Sequence, residues 1–156
     1  MFRRSAAAYP PLIGDGARRA GGRWNPPNSF PVLYTALDVA TVDRELERQA
    51  ARAGLVVAAM GPRKLGLIHV RLSRVLDLTS EKVQHAVGCT KSDLTSEDSR
   101  IPSEIGEVAH HVGYEAILAP SATGSGTVLA IFLDNRAADS VLEVVGRPEE
   151  HLPQAR

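Results

Sequence analysis

Residues 21–34 read Gly-Gly-Arg-Trp-Asn-Pro-Pro-Asn-Ser-Phe-Pro-Val-Leu-Tyr, and how this stretch is taken decides the reading of the whole chain. It holds the single tryptophan, Trp24, and three of the ten prolines. Paired glycines admit backbone conformations closed to other residues, and the prolines restrict the turn that follows. Arg23 brings a permanent charge and a planar donor fork suited to carboxylate or phosphate. The segment then enters an apolar run ending at Tyr34. Two readings stay open on these residues alone. One is a structural corner, with Trp24 in the core and Arg23 paired to a local acid. The other is a rigid turn that presents Arg23 and Trp24 beside Tyr34 to a flat or anionic ligand.

Working outward, Phe2 to Ala8 predicts a first strand, and residues 9–31 form a long irregular segment of a kind that compact domains usually keep for a function. Pro31 to Thr35 is strand-like. Asp38 caps a helix running to about Ala53, with Gly54 as its stop. Val39, Val42, Leu46, Ala50 and Ala53 share one stripe of that helix. Glu45 and Glu47 lie on opposite shoulders, each about 100 degrees from the stripe, so periodicity does not choose between them. Leu55 to Met60 reads as a short strand and Lys64 to Leu72 as another. Val75 to Leu78 reads as a continuation of the latter past a bend at Ser73-Arg74, with His69 on a sheet face or in the core.

Thr79 or Ser80 caps a short helix through Ala86. Gly88 to Arg100 reads as a polar loop without apolar periodicity, a lid or a partner-facing segment. Pro102-Ser103 opens a helix with Ile105, Val108, Ala109 and Val112 facing inward and Gly113 as its stop. Tyr114 to Ala119 and Thr127 to Leu133 are apolar strands joined by a turn of small polar residues, Pro120 to Gly126. Val141 to Val145 is the last strand. These elements predict one domain over residues 1–147 and a frayed tail over 148–156.

Eighteen basic and eighteen acidic side chains balance, so no global field recruits nucleic acid or an anionic membrane. The lone Cys89 excludes an internal disulfide and a cysteine-based zinc site. His110 and His111 are adjacent on a helix and point apart, so they do not chelate; no metal site is expected. No apolar run reaches the roughly 20 residues of a membrane helix, and no signal peptide is evident, which predicts a cytoplasmic protein. Gly124-Ser125-Gly126 lacks the lysine of a Walker loop. Gly14-Asp15-Gly16 does not join a strand to a helix as a Rossmann turn does, and Ser121 lacks the glycines of a nucleophile elbow. His85 and Cys89 alone do not make a hydrolase.

The ordered set Gly21-Gly22-Arg23-Trp24-Asn25-Pro26, Val32-Leu33-Tyr34-Thr35, a helix glutamate, and Ala119-Pro120-Ser121-Ala122 resembles the RES domain family, from Phe2-Arg3 to about Asn135. That resemblance implies an α+β fold: a mixed, mainly antiparallel β core split around an NAD cleft with flanking helices, as in ADP-ribosyltransferases. It implies a bacterial toxin that depletes NAD by cleaving the nicotinamide–ribose bond, with water or phosphate as acceptor. The alternatives are protein ADP-ribosylation from the same site, or a catalytically silent module that binds NAD or an antitoxin.

By resemblance, Arg3 and Arg23 bind the diphosphate of NAD, the substrate, and Tyr34 faces nicotinamide. Glu45 rather than Glu47 is the catalytic carboxylate, with Arg23 and Ser121 beside it and Ser121 hydrogen-bonding in the pocket. The implied partner is an Xre-type helix-turn-helix antitoxin, which would carry any contact with nucleic acid. Asn28-Ser29-Phe30 departs from the family's pattern, which often has a glycine before this strand.

Overall fold

The structure is a computed structural model that describes residues 1–150, so residues 151–156 of the expected tail lie outside the described residues. The strands are β1 (Phe2–Ala6), β2 (Val32–Ala36), β3 (Arg63–Arg71), β4 (Val75–Asp77), β5 (Ala116–Pro120), β6 (Thr127–Phe132) and β7 (Val141–Glu150). They form one sheet in the order β4-β5-β6-β2-β1-β3-β7. Only β4 and β5 run parallel; every other neighbouring pair is antiparallel. The expected α+β class with a mainly antiparallel core is what the chain forms.

Among the described residues five helices flank the sheet: α1 (Asp15–Ala20), α2 (Val39–Arg52), α3 (Glu81–Ala86), α4 (Lys91–Thr95) and α5 (Arg100–His111). None among the described residues is long and apolar enough to cross a membrane.

The middle of the sheet is where its halves separate. β2 pairs with β6 at five positions, from Val32↔Phe132 to Ala36↔Val128. β1 pairs with β3 just as fully, from Phe2↔Leu67 to Ala6↔Arg63. Between β1 and β2 the only register is Phe2↔Ala36. Beyond it the strands diverge, and the Arg3 guanidinium enters the gap, donating to the Tyr34 carbonyl at 3.0 Å and to the Ile13 carbonyl at 3.2 Å. A side chain thus replaces ladder hydrogen bonds that the backbone groups would otherwise lack.

Two apolar clusters hold the layers. Val32, Ile117, Ala119, Ala130 and Phe132 pack with Trp24, Phe30, Leu78 and Leu94. Leu33, Ile68, Ala116, Leu129, Ile131 and Leu142 form the second cluster. β2 is buried at both Val32 and Leu33, as expected of a central strand covered on both sides. The Asp38 carboxylate caps α2 by accepting from the Thr41 N–H at 2.7 Å, and Val42, Leu46 and Ala50 are buried as the stripe predicts. Arg4, buried on β1, pairs with Asp43 and ties α2 to that strand.

Several expectations are corrected. Residues 9–31 contain a helix, α1, whose six residues are too short for an apolar stripe. Leu55 to Met60 is no strand: Val57–Met60 is a 3-10 turn, with Leu55 and Val56 exposed. Residues 88–100 are not a loop throughout. Thr90 and Asp93 form a capping box that starts α4, and Leu94 anchors it in the core.

Val75–Asp77 does not continue β3; it lies at the opposite edge of the sheet, paired to β5. The turn between them is fixed by the buried Glu115, whose carboxylate accepts from the Ser73 and Arg74 N–H groups at 2.7 and 2.9 Å. Helix α5 is rotated from its expected setting. Pro102, Gly106 and Ala109 are buried while Val108 and Val112 are exposed. β7 continues to Glu150, pairing Glu149 with Leu65 and Glu150 with Lys64, so Pro148 to Glu150 is strand rather than frayed tail.

Candidate active site

The turn at 21–34 is built around the Tyr34 hydroxyl. It donates to Asn25 Oδ1 at 2.7 Å and accepts from the Trp24 N–H at 2.9 Å. Gly22 makes this possible, because a Cβ there would lie 2.4 Å from the Tyr34 oxygen. Asn25, fully buried, also donates to the Ala17 carbonyl at 2.8 Å and so fastens the turn to α1. Trp24 is buried against α5, where Gly106 allows close approach: a Cβ at Gly106 would stand 1.9 Å from the Trp24 carbonyl oxygen. Trp24 is packing, as the corner reading has it, but Arg23 is not paired to a local acid in the way that reading expects.

Arg23 donates to the Ser96 carbonyl, and its Nε and Nη1 are buried without a partner among the described residues. Burial holds its pKa below the ordinary arginine value. Arg48 and Arg52 push it the same way, while Glu45 and Glu97 oppose them. Glu45 is therefore close enough to Arg23 for their charges to interact.

The Ser121 hydroxyl donates to Glu45 Oε1 at 2.6 Å. That hydroxyl also accepts from the Thr123 N–H at 3.1 Å and lies 2.7 Å from Thr123 Oγ1. Ser121, 1% exposed, sits just past the end of β5, and its own N–H donates to the Gly126 carbonyl. The turn of small polar residues thus sets the serine, and the serine sets the carboxylate. Glu47, two residues on, is exposed.

The structure brings Arg23, Tyr34, Glu45 and Ser121 together. Arg23 acts electrostatically on Tyr34 as well as being influenced by Glu45. Burial raises the Tyr34 phenol far above its usual range, so it remains protonated. Arg3 touches this group only through the Tyr34 backbone. Its guanidinium has no carboxylate partner among the described residues, and its Nε is buried and unpaired. Burial, with help from Arg63, pushes its pKa down to about 10.

No group of three or more metal-binding side chains occurs among the described residues. His110 stacks on Phe30 at 3.8 Å and pairs with Asp134 at 3.0 Å. Cys89 is buried, and burial together with Asp93 raises its pKa, which disfavours a reactive thiolate. An apolar depression of about 480 Å³ lined by Ile68, His69, Val70, Leu118 and Leu129 includes none of the candidate site residues.

Residue-type reasoning missed Thr123, Asn25, Arg48, Arg52 and Glu97. For the arginines a signal was present: Arg44, Arg48 and Arg52 recur every four residues, which places them on one helix flank.

The RES domain family profile matches residues 1–154, and the chain belongs to that family. It is similar to the NAD(+) phosphorylase MbcT of Mycobacterium tuberculosis and of Mycobacterium bovis. Each is 35% identical over 133 residues, covering 84% of this chain and 72% of the relative. It is also similar to a solved structure, the crystal structure of the M. tuberculosis MbcT–MbcA toxin–antitoxin complex. That match has a TM-score of 0.86 and 32% identity, and it covers 97% of this chain and 83% of the other.

Proposed function

We propose that this chain is a bacterial toxin that depletes NAD by breaking the nicotinamide–ribose bond, with phosphate as the acceptor. The observation that carries the reading is the Ser121–Glu45 hydrogen bond with Arg23 alongside. Homology to an enzyme named NAD(+) phosphorylase supports the choice of acceptor.

As the bond breaks, its electron pair leaves with nicotinamide, which becomes neutral, and positive charge develops on the ribose. Glu45, held in place by Ser121, faces that charge and stabilises it electrostatically. A phosphate oxygen then bonds to the ribose carbon that nicotinamide left. Arg23 and Arg3 hold the NAD diphosphate through charge-assisted hydrogen bonds. The Tyr34 ring offers its face to the cationic nicotinamide, while its hydroxyl stays committed to Asn25 and Trp24.

A toxin of this kind works where the NAD pool is, which places it in the cytoplasm. It requires a restraining partner, and a solved toxin–antitoxin complex of the same fold supports one. We assign that role to an Xre-type helix-turn-helix protein that covers the cleft.

The test is to incubate pure protein with NAD, with and without phosphate, and to follow nicotinamide release. Phosphate-dependent release with formation of a phosphorylated ADP-ribose is expected. Label transferred to a protein would point to ADP-ribosylation instead, and intact NAD after hours would end both enzymatic readings.

A further inference from the structure

Arg23, Arg48 and Arg52 converge on one short segment beside the Glu45–Ser121 pair. Arg48 donates to the two carboxylate oxygens of Glu97 at 3.3 and 3.2 Å. Arg52 lies 3.7 Å from the same carboxylate and donates to the Glu97 carbonyl at 3.1 Å. Arg23 donates to the carbonyl of the preceding residue, Ser96. Helix α2 supplies two of the three cations from adjacent turns, and the 21–34 turn supplies the third.

The charges around this segment do not balance. Arg48 and Arg52 pair with Glu97, and Arg23 interacts with both Glu45 and Glu97, so three guanidiniums share two carboxylates. Asp98, the next acid, is already held by Arg100 at 2.7 Å. Repulsion among the cations shows in Arg23, which Arg48 and Arg52 both depress. Exposure is also unequal: the Arg48 side chain is 15% exposed and that of Glu97 is 76% exposed. The cation is fixed against the protein, whereas its counter-ion stands in water, where an ion pair contributes little and exchanges readily. Arg23 Nε and Nη1 remain buried with no partner among the described residues, a costly state that an oxygen-rich anion relieves. A carboxylate offers two oxygens to this cluster; a phosphate offers more oxygens and more charge.

Resting on the NAD-cleaving reading, we propose that Arg23, Arg48 and Arg52 form a phosphate-oxyanion subsite next to Glu45, and that the Glu97 carboxylate occupies it until phosphate displaces it. The oxyanion is supplied either by inorganic phosphate, as acceptor, or by the diphosphate of the nucleotide. Glu97 then sets the phosphate concentration at which the subsite fills.

Equilibrium titration of the full chain with inorganic phosphate and, separately, with ADP-ribose tests this without relying on catalysis. Glu97→Gln is expected to tighten phosphate binding by about threefold or more, since the displaced competitor loses its charge. Arg48→Gln is expected to weaken it by about tenfold or more, the effect of losing a charge-assisted hydrogen bond. Arg48→Lys keeps the charge without the fork and should fall between. Thermal unfolding of each variant verifies that it is folded, and the exposed position of Glu97 makes that variant safe in this respect. If only ADP-ribose binding responds, the oxyanion is the nucleotide's diphosphate and the subsite stands. If neither affinity changes in folded Glu97→Gln and Arg48→Lys, the subsite is overturned. Wild-type protein that binds phosphate through these residues yet leaves NAD intact would overturn the proposed function alone.

Discussion

Ser121 and Glu45, 76 residues apart in sequence, share a 2.6 Å hydrogen bond in which the serine hydroxyl donates to the carboxylate. The bond joins the end of β5 to the flank of α2 and gives the carboxylate one orientation. It also settles the rotation of α2, with Glu45 toward the serine and Glu47 in solvent. The proposed chemistry therefore discriminates between two glutamates that lie two residues apart.

Glu45→Gln should lower kcat for nicotinamide release by about a hundredfold or more, the usual cost of removing a preorganised charge from a transition state. Its melting temperature should stay near that of the wild type. Glu47→Gln should remain within about twofold of wild type, as surface substitutions generally do. Equal losses in the two variants would rule out the assigned helix rotation.

Tyr34→Phe retains the ring but removes the hydroxyl that serves both Asn25 and the Trp24 N–H. Stability should drop by about 1–3 kcal/mol, the cost of leaving buried groups unpaired. Activity at low temperature should survive better than in Tyr34→Ala, because the ring face proposed to meet nicotinamide is kept. Denaturant unfolding alongside NAD kinetics separates the two effects.

Gly106→Ala tests the contact between α5 and the turn. The added methyl would sit 1.9 Å from the Trp24 carbonyl oxygen, so helix and turn must part. A destabilisation of about 1–3 kcal/mol or more is expected from such overpacking. Arg23, next in sequence to Trp24, should lose position as well, raising KM for NAD in whatever fraction remains folded.

Glu115 gives the fold an acid-sensitive point away from the active site. Burial alone would raise its pKa, but hydrogen bonds from Ser140 and from the Ala137, Arg74 and Ser73 N–H groups outweigh that and hold it down at about 2. A depressed carboxylate contributes stability above its unfolded pKa and loses it as pH falls. The Glu115 contribution is therefore complete at neutral pH and fades from about pH 4.5 toward pH 2. Glu115→Ala should cost about 3 kcal/mol or more at pH 7, since it strands several buried donors. Much of the difference from wild type should vanish in acid, as unfolding curves at a series of pH values would show.

The sequence made the α2 stripe readable because Val42, Leu46 and Ala50 repeat at helical spacing over fourteen residues. α4 escaped because five residues hold no period; the readable sign was Thr90 followed three residues later by Asp93. The setting of α5 was misjudged because small residues, Gly106 and Ala109, carry the close contact, while the larger Val108 and Val112 stay outside. The grouping of Arg23, Glu45 and Ser121 came with the family resemblance rather than from spacing. Their meeting depends on a turn, a helix and a strand end that only the folded sheet brings together. Glu115 gave no sign at all, since its partners are mostly backbone N–H groups, which no side-chain pattern encodes.

The gap between β1 and β2 also divides the molecule by chain position. β1 and β7, near opposite ends of the described chain, both flank β3, whereas β2, β5 and β6 come from the middle. Damage near either end, by proteolysis or by a fused tag, therefore strikes the same three strands, those that carry Arg3. The ladder from β2 to β5, which leads to Ser121, lies beyond the gap and keeps its own pairing. Loss of the last strand should thus leave the carboxylate–serine pair in place while loosening the β1–β3 pair that positions Arg3, whereas loss of the first strand removes Arg3 itself together with the Arg4–Asp43 tie to α2.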